Sequence, residues 1–357
     1  MKINFIKKYV VLAAMSAMVL IQSCQKDPDP VIKAGEAGFF IVNEGGYPNP
    51  NTSISFYDRK TDAVTNDLFI PLGIQAQSMT VFEGKGYILV QGSQKVVVVN
   101  TDDYSSIATI KDGITNPRYL VGISPTKAYV SDWGVNAADG SVKVLDLTTY
   151  KVTKTIATGQ GTNKMLKVGN LVYVTNMGGY GNDKTIKIID STTDAIVSTI
   201  TTGDNPNSLQ KDKDGNIWVT TGGILKYNAN FSINETASTK GSIVKIKPDN
   251  TEALRLPVNE FTYNFPSNLN ISAEGTQLYY TYNGAIYSMS TSATALPTAA
   301  FKTKDYYGLA VDPINGNIIG CDAGNFSSAG SIDIYSASGS LVKTLTVGIA
   351  PNGCVFK

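Results

Sequence analysis

The sequence contains no histidine. That absence excludes a Ser-His-Asp or Cys-His nucleophile system, His-ligated zinc and His-ligated haem. The commonest general base is missing as well. Cysteine is scarce: Cys24, Cys321 and Cys354 are too few for a disulfide scaffold. Charge is sparse, at 17% of residues, with a formal net of +1. Without residues 1–23, 27 basic groups face 29 acidic ones, so no basic footprint for nucleic acid exists. The N-terminal apolar run, Tyr9–Ile21, has 13 residues, too few to span a bilayer as a helix. No Gly-rich phosphate loop of the usual spacing appears, and no carboxylate pair stands out for acid–base work. The chain reads as a non-enzyme with no metal site and no cofactor.

What is plentiful is Gly, Thr, Ser, Asn and Tyr, including 33 glycines and 19 tyrosines. The stretch Asn116–Ile156 holds four short apolar runs: Tyr119–Ile123, Ala128–Val130, Val142–Leu147 and Val152–Ile156. Each is too short for a helix and rich in β-branched and aromatic residues, so each reads as a strand. The same paragraph recurs in degenerate form along the chain. A four-strand repeat of about 45 residues is the signature of a propeller blade.

The repeats can be phased, with strands A to D running from the axis outward. The A strands follow a Pro or polar pair, at Gln77–Thr80, Pro117–Leu120, Asn163–Leu166, Pro206–Leu209, Pro266–Leu269, Tyr306–Leu309 and Pro351–Cys354. The C strands begin at Ser53, Lys95, Ser141, Thr185, Ser242, Ala285 and Ser331. Seven blades follow. The chain opens on a B strand at Phe39 and ends on an A strand, so the C-terminal strand must join the N-terminal ones and remove an unpaired inner edge. The expected fold is an all-β, seven-bladed β-propeller with four-stranded antiparallel blades over residues 38–357, closed in this way. Cys321 and Cys354 fall in neighbouring blades and read as buried free thiols, with a bridge near the ring closure as the alternative. Asp212–Asn216 superficially resembles the start of a calcium loop, but Gly223 stands where the acidic twelfth ligand belongs, so it reads as a plain turn.

The B–C and D–A connections share one face and are the long ones, so functional residues are expected there. Tyr47, Trp133, Tyr180, Tyr227, Phe265, Tyr306, Tyr307 and Phe326 lie in or beside these loops, among Asn, Gly and Ser, with Asn136 at the tip of one loop. Rings with interleaved amides suit a bulky, uncharged, polar ligand. Packing the loops onto the scaffold is the plainer role for any single ring. Asn43, Gln91, Asp132, Asn176, Thr220, Tyr282 and Asp322 end the B strands; Asn176 is a candidate contact, and Asx-turn duty is the alternative for the set. At the axis mouth stand Ser78, Arg118, Lys164, Asn207, Ser267, Tyr307 and Asn352. Arg118 and Lys164 suit an anion such as phosphate, or else a carboxylate such as Asp132. The ligand-binding set is thus Tyr47, Arg118, Trp133, Asn136, Lys164, Asn176, Tyr180, Asn207, Tyr227, Phe265, Tyr306, Tyr307, Phe326 and Asn352.

Lys2, Lys7 and Lys8 before Tyr9–Ile21 give residues 1–23 the form of a secretory signal. Ser23-Cys24 after it resembles the bacterial lipobox, with Gln22 in place of the usual small residue. The resemblance implies lipidation at Cys24. Residues 24–37 then form a tether whose Gln25–Pro30 segment resembles the acidic export signal of outer-membrane surface lipoproteins. An ordinary cysteine, or a plain linker facing the periplasm, is the alternative. The repeat, with Tyr129-Val-Ser-Asp132, Gly140-Ser-Val-Lys-Val-Leu-Asp146 and Asn116-Pro117, resembles the YncE-like seven-bladed propellers. With the signal and Cys24 it is similar to their Bacteroidetes surface lipoproteins, and most of all to the cobalamin-capturing BtuG group. That resemblance implies capture of a corrinoid and its delivery to a TonB-dependent outer-membrane transporter. A protein- or glycan-binding scaffold or adhesin is the second reading.

Overall fold

Runs such as Lys85–Val90 and Ile217–Thr221 are almost continuously buried rather than alternating. That pattern belongs to strands covered on both faces. In a computed structural model of the chain, which describes residues 35–357, these strands are the middle strands of radially stacked sheets. Seven antiparallel sheets form the ring, and we number the blades 1 to 7 along the chain. The observed C strands begin where the sequence places them in six blades, and in blade 7 at Ala329 rather than Ser331.

The closing strand Pro351–Phe356 pairs with Gly38–Asn43 in blade 1, with Phe40 opposite Val355 and Ile41 opposite Cys354. Both chain ends are thereby held in one sheet. Six blades have four strands. Blade 6 has three, and its outer place is taken by residues 291–305, which pair with its edge only around Ile286 and Lys302.

Side-chain alternation explains the packing. Phe40 and Val42 point toward blade 2, where they meet Met79, Ile88 and Val97. Phe39 and Ile41, one residue out of phase, point toward blade 7 and meet Ile319, Ile332 and Cys321. The pattern repeats around the ring, giving seven apolar clusters, one at each blade junction. Each fully buried Ile, Val or Phe contributes about 1.5–3 kcal/mol. Every blade therefore depends on two neighbours, and closing the ring matters to all of them.

Cys321 and Cys354 meet across the junction of blades 7 and 1 with sulfurs 3.9 Å apart, and both are free. The contact with Cys321, then burial, pushes the Cys354 thiol well above its ordinary value, so it stays protonated. Asp212 caps a plain turn. Its carboxylate accepts hydrogen bonds from the Asp214 and Asn216 amides, the Asn216 side chain and the Trp218 indole. Residues 1–23, Cys24 and most of the 24–37 tether lie outside the described residues. Among the described residues, no helix is long and apolar enough to cross a membrane.

Candidate functional site: an axial funnel on the long-loop face

At the axis mouth the innermost strands break register with their neighbours. Gln77 bulges out between Ala76 and Ser78, Arg118 and Tyr119 between Pro117 and Leu120, and Asn163 and Lys164 between Thr162 and Met165. Asn207, Asn268 and Asn352 sit at equivalent irregularities. A bulge re-aims a side chain that regular alternation would send to a blade junction. Here, repeated in six blades, it turns a ring of polar side chains toward the axis.

Most of these side chains tie one blade to the next. Asn352 donates to the Ala76 and Gln77 carbonyls, Gln77 to the Tyr119 hydroxyl, and Asn163 to the Asn207 carbonyl. Asn207 donates to Pro266 O at 3.0 Å and Asn268 to Tyr307 O at 3.2 Å. Between blades 7 and 1 the backbones themselves touch, and a Cβ on Gly308 would lie 2.2 Å from the Asn352 carbonyl oxygen. The junction of blades 3 and 4 differs. There the Lys164 ammonium lies 3.9 Å from the centre of the Tyr119 ring, and the Arg118 guanidinium lies 4.0 Å from that of Trp133.

Above this ring opens a funnel of about 530 Å³, and below it a second chamber of about 400 Å³. Gln77, Tyr119, Lys164, Ser208, Asn268 and Asn352 border both and form the constriction. The funnel lies on the long-loop face.

The structure gathers eight of the sequence candidates at the funnel: Arg118, Lys164, Asn207, Phe265, Tyr306, Tyr307, Phe326 and Asn352. Tyr307 and Phe326 meet edge to face at 5.0 Å, and the Tyr307 hydroxyl donates to Glu44 at 2.6 Å. Burial and then the Glu44 charge hold that phenol well above its ordinary value, so it stays a donor. Tyr306 borders the funnel but is buried, and its hydroxyl is engaged by Asp333 and Tyr335.

Six candidates lie elsewhere. Asn176 is fully buried, donating to Thr158 O and Thr185 Oγ1, so it holds a loop rather than meeting a ligand. Trp133 covers Arg118 and is itself met edge-on by Tyr180, so it supports the site from outside the funnel. Tyr47 and Tyr180 are 73% and 83% exposed on the outer rim. Asn136 is exposed at a loop tip with left-handed backbone. Tyr227 stacks on Tyr263, and it is Tyr263 that lines the funnel. Gln77, Tyr119, Asn163 and Asn268 belong to the site, although a regular strand reading hides them.

The Asp132 alternative for Arg118 is not what the structure shows. Both Asp132 oxygens accept backbone N–H groups, from Thr115, Asn116 and Gly134. Arg118 donates to Gln91 and its Nε has no partner. Among the described residues, neither Arg118 nor Lys164 forms an ion pair. No cluster of three metal-ligating His, Cys, Asp or Glu side chains is found among them.

Residues 37–356 match the family described as "Domain of unknown function (DUF5074)". The chain belongs to the DUF5074 family. A comparison with curated proteins finds no match. Among solved structures, this DUF5074 protein is similar to a quinonprotein alcohol dehydrogenase-like protein from Bacteroides thetaiotaomicron, at 17% identity and TM-score 0.65, covering 91% of this chain and 79% of that one. It is also similar to the periplasmic gluconolactonase of Pseudomonas aeruginosa, at 12% identity and TM-score 0.65, covering 89% and 98%. A putative 6-phosphogluconolactonase from Bacteroides fragilis matches at 12% identity and TM-score 0.64, covering 90% and 98%. At such identities the likeness is one of fold. It shows that this DUF5074 chain shares their propeller architecture.

Proposed function

We propose that this DUF5074 propeller is a binding module whose axial funnel receives a bulky, polar, ring-containing ligand, and that the ligand is cobalamin or a related corrinoid. The carrying observation is the lining. Rings of Phe265, Tyr307 and Phe326 stand around one opening with the amide oxygens of Asn268 and Asn352, whose N–H groups go to the next blade. Rings cover apolar faces and amides fix orientation. A corrinoid is a flat macrocycle rimmed by amides, and its periphery needs both. Without histidine the protein has no imidazole to offer the cobalt, so the intact vitamin would be held by its edge.

The rest of the proposal concerns place and partner. Lipidation at Cys24 would anchor the propeller to the outer membrane, facing outward, and a TonB-dependent transporter would take the ligand onward. The role proposed is non-enzymatic. Two fold neighbours are named as lactonases, but at 12% identity they lend only their architecture.

Gel filtration with cyanocobalamin tests this reading. Co-elution of the red chromophore with the protein is expected; its absence at micromolar concentrations ends the corrinoid assignment. A second reading, a surface that grips a protein or glycan, is favoured by the outer rim, where Tyr47, Tyr180 and Phe231 are each more than 70% exposed.

A further inference from the structure

The ring at the constriction is uniform except at one sector. Five blade junctions carry an amide donor from Asn or Gln, and a sixth is closed by backbone contact at Gly308. Only between blades 3 and 4 do two cations stand where a neutral tie would serve. Both border the funnel, and neither has a carboxylate partner among the described residues.

A cation drawn out of water without a counter-ion is costly. Burial lowers the Arg118 guanidinium below its ordinary value. Its donors are only partly used, by Gln91, while Nε has no acceptor. Tyr119 reads the local field. Burial alone would raise its phenol, yet Lys164 and Arg118 outweigh that and lower it. Negative oxygen is therefore stabilised at this point. The carboxylates in reach do not cancel the pair. Glu44 is committed to Tyr307 and Gln75. Asp305, just before blade 7, and Asp322, within it, line the funnel across the axis, and Asp322 is bridged by Lys304 at 2.9 Å.

From this arrangement we infer that the constriction between blades 3 and 4 is an oxyanion subsite, in which Lys164 and Arg118 hold a phosphate or carboxylate group of the ligand. Lys164 acts as the accessible point charge. Arg118 supplies the planar donor set, held in orientation by the Trp133 face. The ligand thus carries an anionic group, held deepest at the axis, with its bulk among the rings above. The inference deepens the funnel reading and rests on it.

Pyrophosphate is the probe, and the protein carries its own reporter. Of its two tryptophans, Trp218 is buried in the core and Trp133 lies against Arg118. Titration at low salt should change tryptophan fluorescence saturably, while sodium chloride at equal ionic strength should not. Lys164→Gln should weaken the titration by at least about tenfold, the size of a lost charge-assisted contact. Arg118→Gln, read by calorimetry because it removes the Trp133 partner, should do the same. Citrate competing with pyrophosphate would extend the subsite to carboxylates; pyrophosphate binding untouched by citrate would assign it to phosphate. No saturable change in the wild type, or a Lys164→Gln variant that titrates like it, overturns the subsite. Pyrophosphate binding without cyanocobalamin binding would remove the corrinoid and keep the subsite. Cyanocobalamin binding equally to wild type and Lys164→Gln, with no pyrophosphate titration, would do the reverse.

Discussion

The two halves of the constriction ring are built from the same bulge and used differently. Around blades 5, 6 and 7, Asn207 and Asn268 point inward and then bond onward to the next blade. Their amide N–H donors are consumed by the scaffold. Around blades 3 and 4, Arg118 and Lys164 take the same positions but leave charge unspent. One backbone device thus serves cohesion on one side and recognition on the other. Burial and position at the axis do not separate these roles. What separates them is whether the donor has found an acceptor.

Four perturbations would break or sharpen that contrast. The largest effect is expected from deleting Pro351–Lys357. It removes the closing strand, the Asn352 tie and one wall of two apolar clusters at once. Loss of the cooperative melting transition is predicted, and a truncated chain that melts like the full one would refute ring closure as the basis of stability. Next comes Asn207→Ala on the cohesive side. It strips the bond to Pro266 O and leaves the Thr220 hydroxyl without its acceptor, at a cost of about 1–3 kcal/mol in urea unfolding.

Acid tests the wall across the axis. Asp333 is buried; burial alone would raise its carboxyl, but bonds from Lys304, Thr344 and Tyr306 outweigh that and lower it. A folded-state value below the unfolded one means stability that is present above pH of about 4 and lost as pH falls toward the folded value. Asp333→Asn should flatten that acid slope in thermal melts, whereas a slope identical to wild type would remove Asp333 as its source. The smallest effect on stability is predicted for Lys164→Gln. Because the one blade-to-blade contact of Lys164 is with the Tyr119 ring, its loss should cost only about 0.5–1 kcal/mol of unfolding free energy while weakening pyrophosphate binding. A destabilisation as large as that of Asn207→Ala would erase the distinction between the two sides.

Much of the fold was legible in the chain. Phe39–Asn43 and Pro351–Cys354 read as strands because short apolar runs between Gly, Pro and Asn allow little else, and their order at the two ends dictates closure. Strand starts at Ser53, Lys95, Ser141, Thr185, Ser242 and Ala285 coincide with those observed. Blade 6 was less so, because residues 291–305 hold no sustained β pattern, and the structure gives them one bridge in place of a strand.

The site was half legible. Arg118, Lys164, Asn207 and Asn352 follow a fixed offset from the Pro or polar pair, so they could be aligned. Tyr119 could not, because strict alternation sends it to a blade junction and only the bulge after Pro117 returns it to the axis. Trp133 and Asn176 misled for opposite reasons. An exposed-loop tryptophan was taken up by Arg118, and a strand-end amide by its own loop.

The central claim is that the funnel, and not the outer rim, receives the ligand. Equilibrium dialysis of cyanocobalamin against wild type, Tyr307→Ala and Tyr47→Ala tests it most directly. The account predicts binding to the wild type, at least about tenfold weaker binding to Tyr307→Ala, as for loss of a stacked ring in a recognition site, and no change for Tyr47→Ala. Binding that survives Tyr307→Ala and falls with Tyr47→Ala would contradict it.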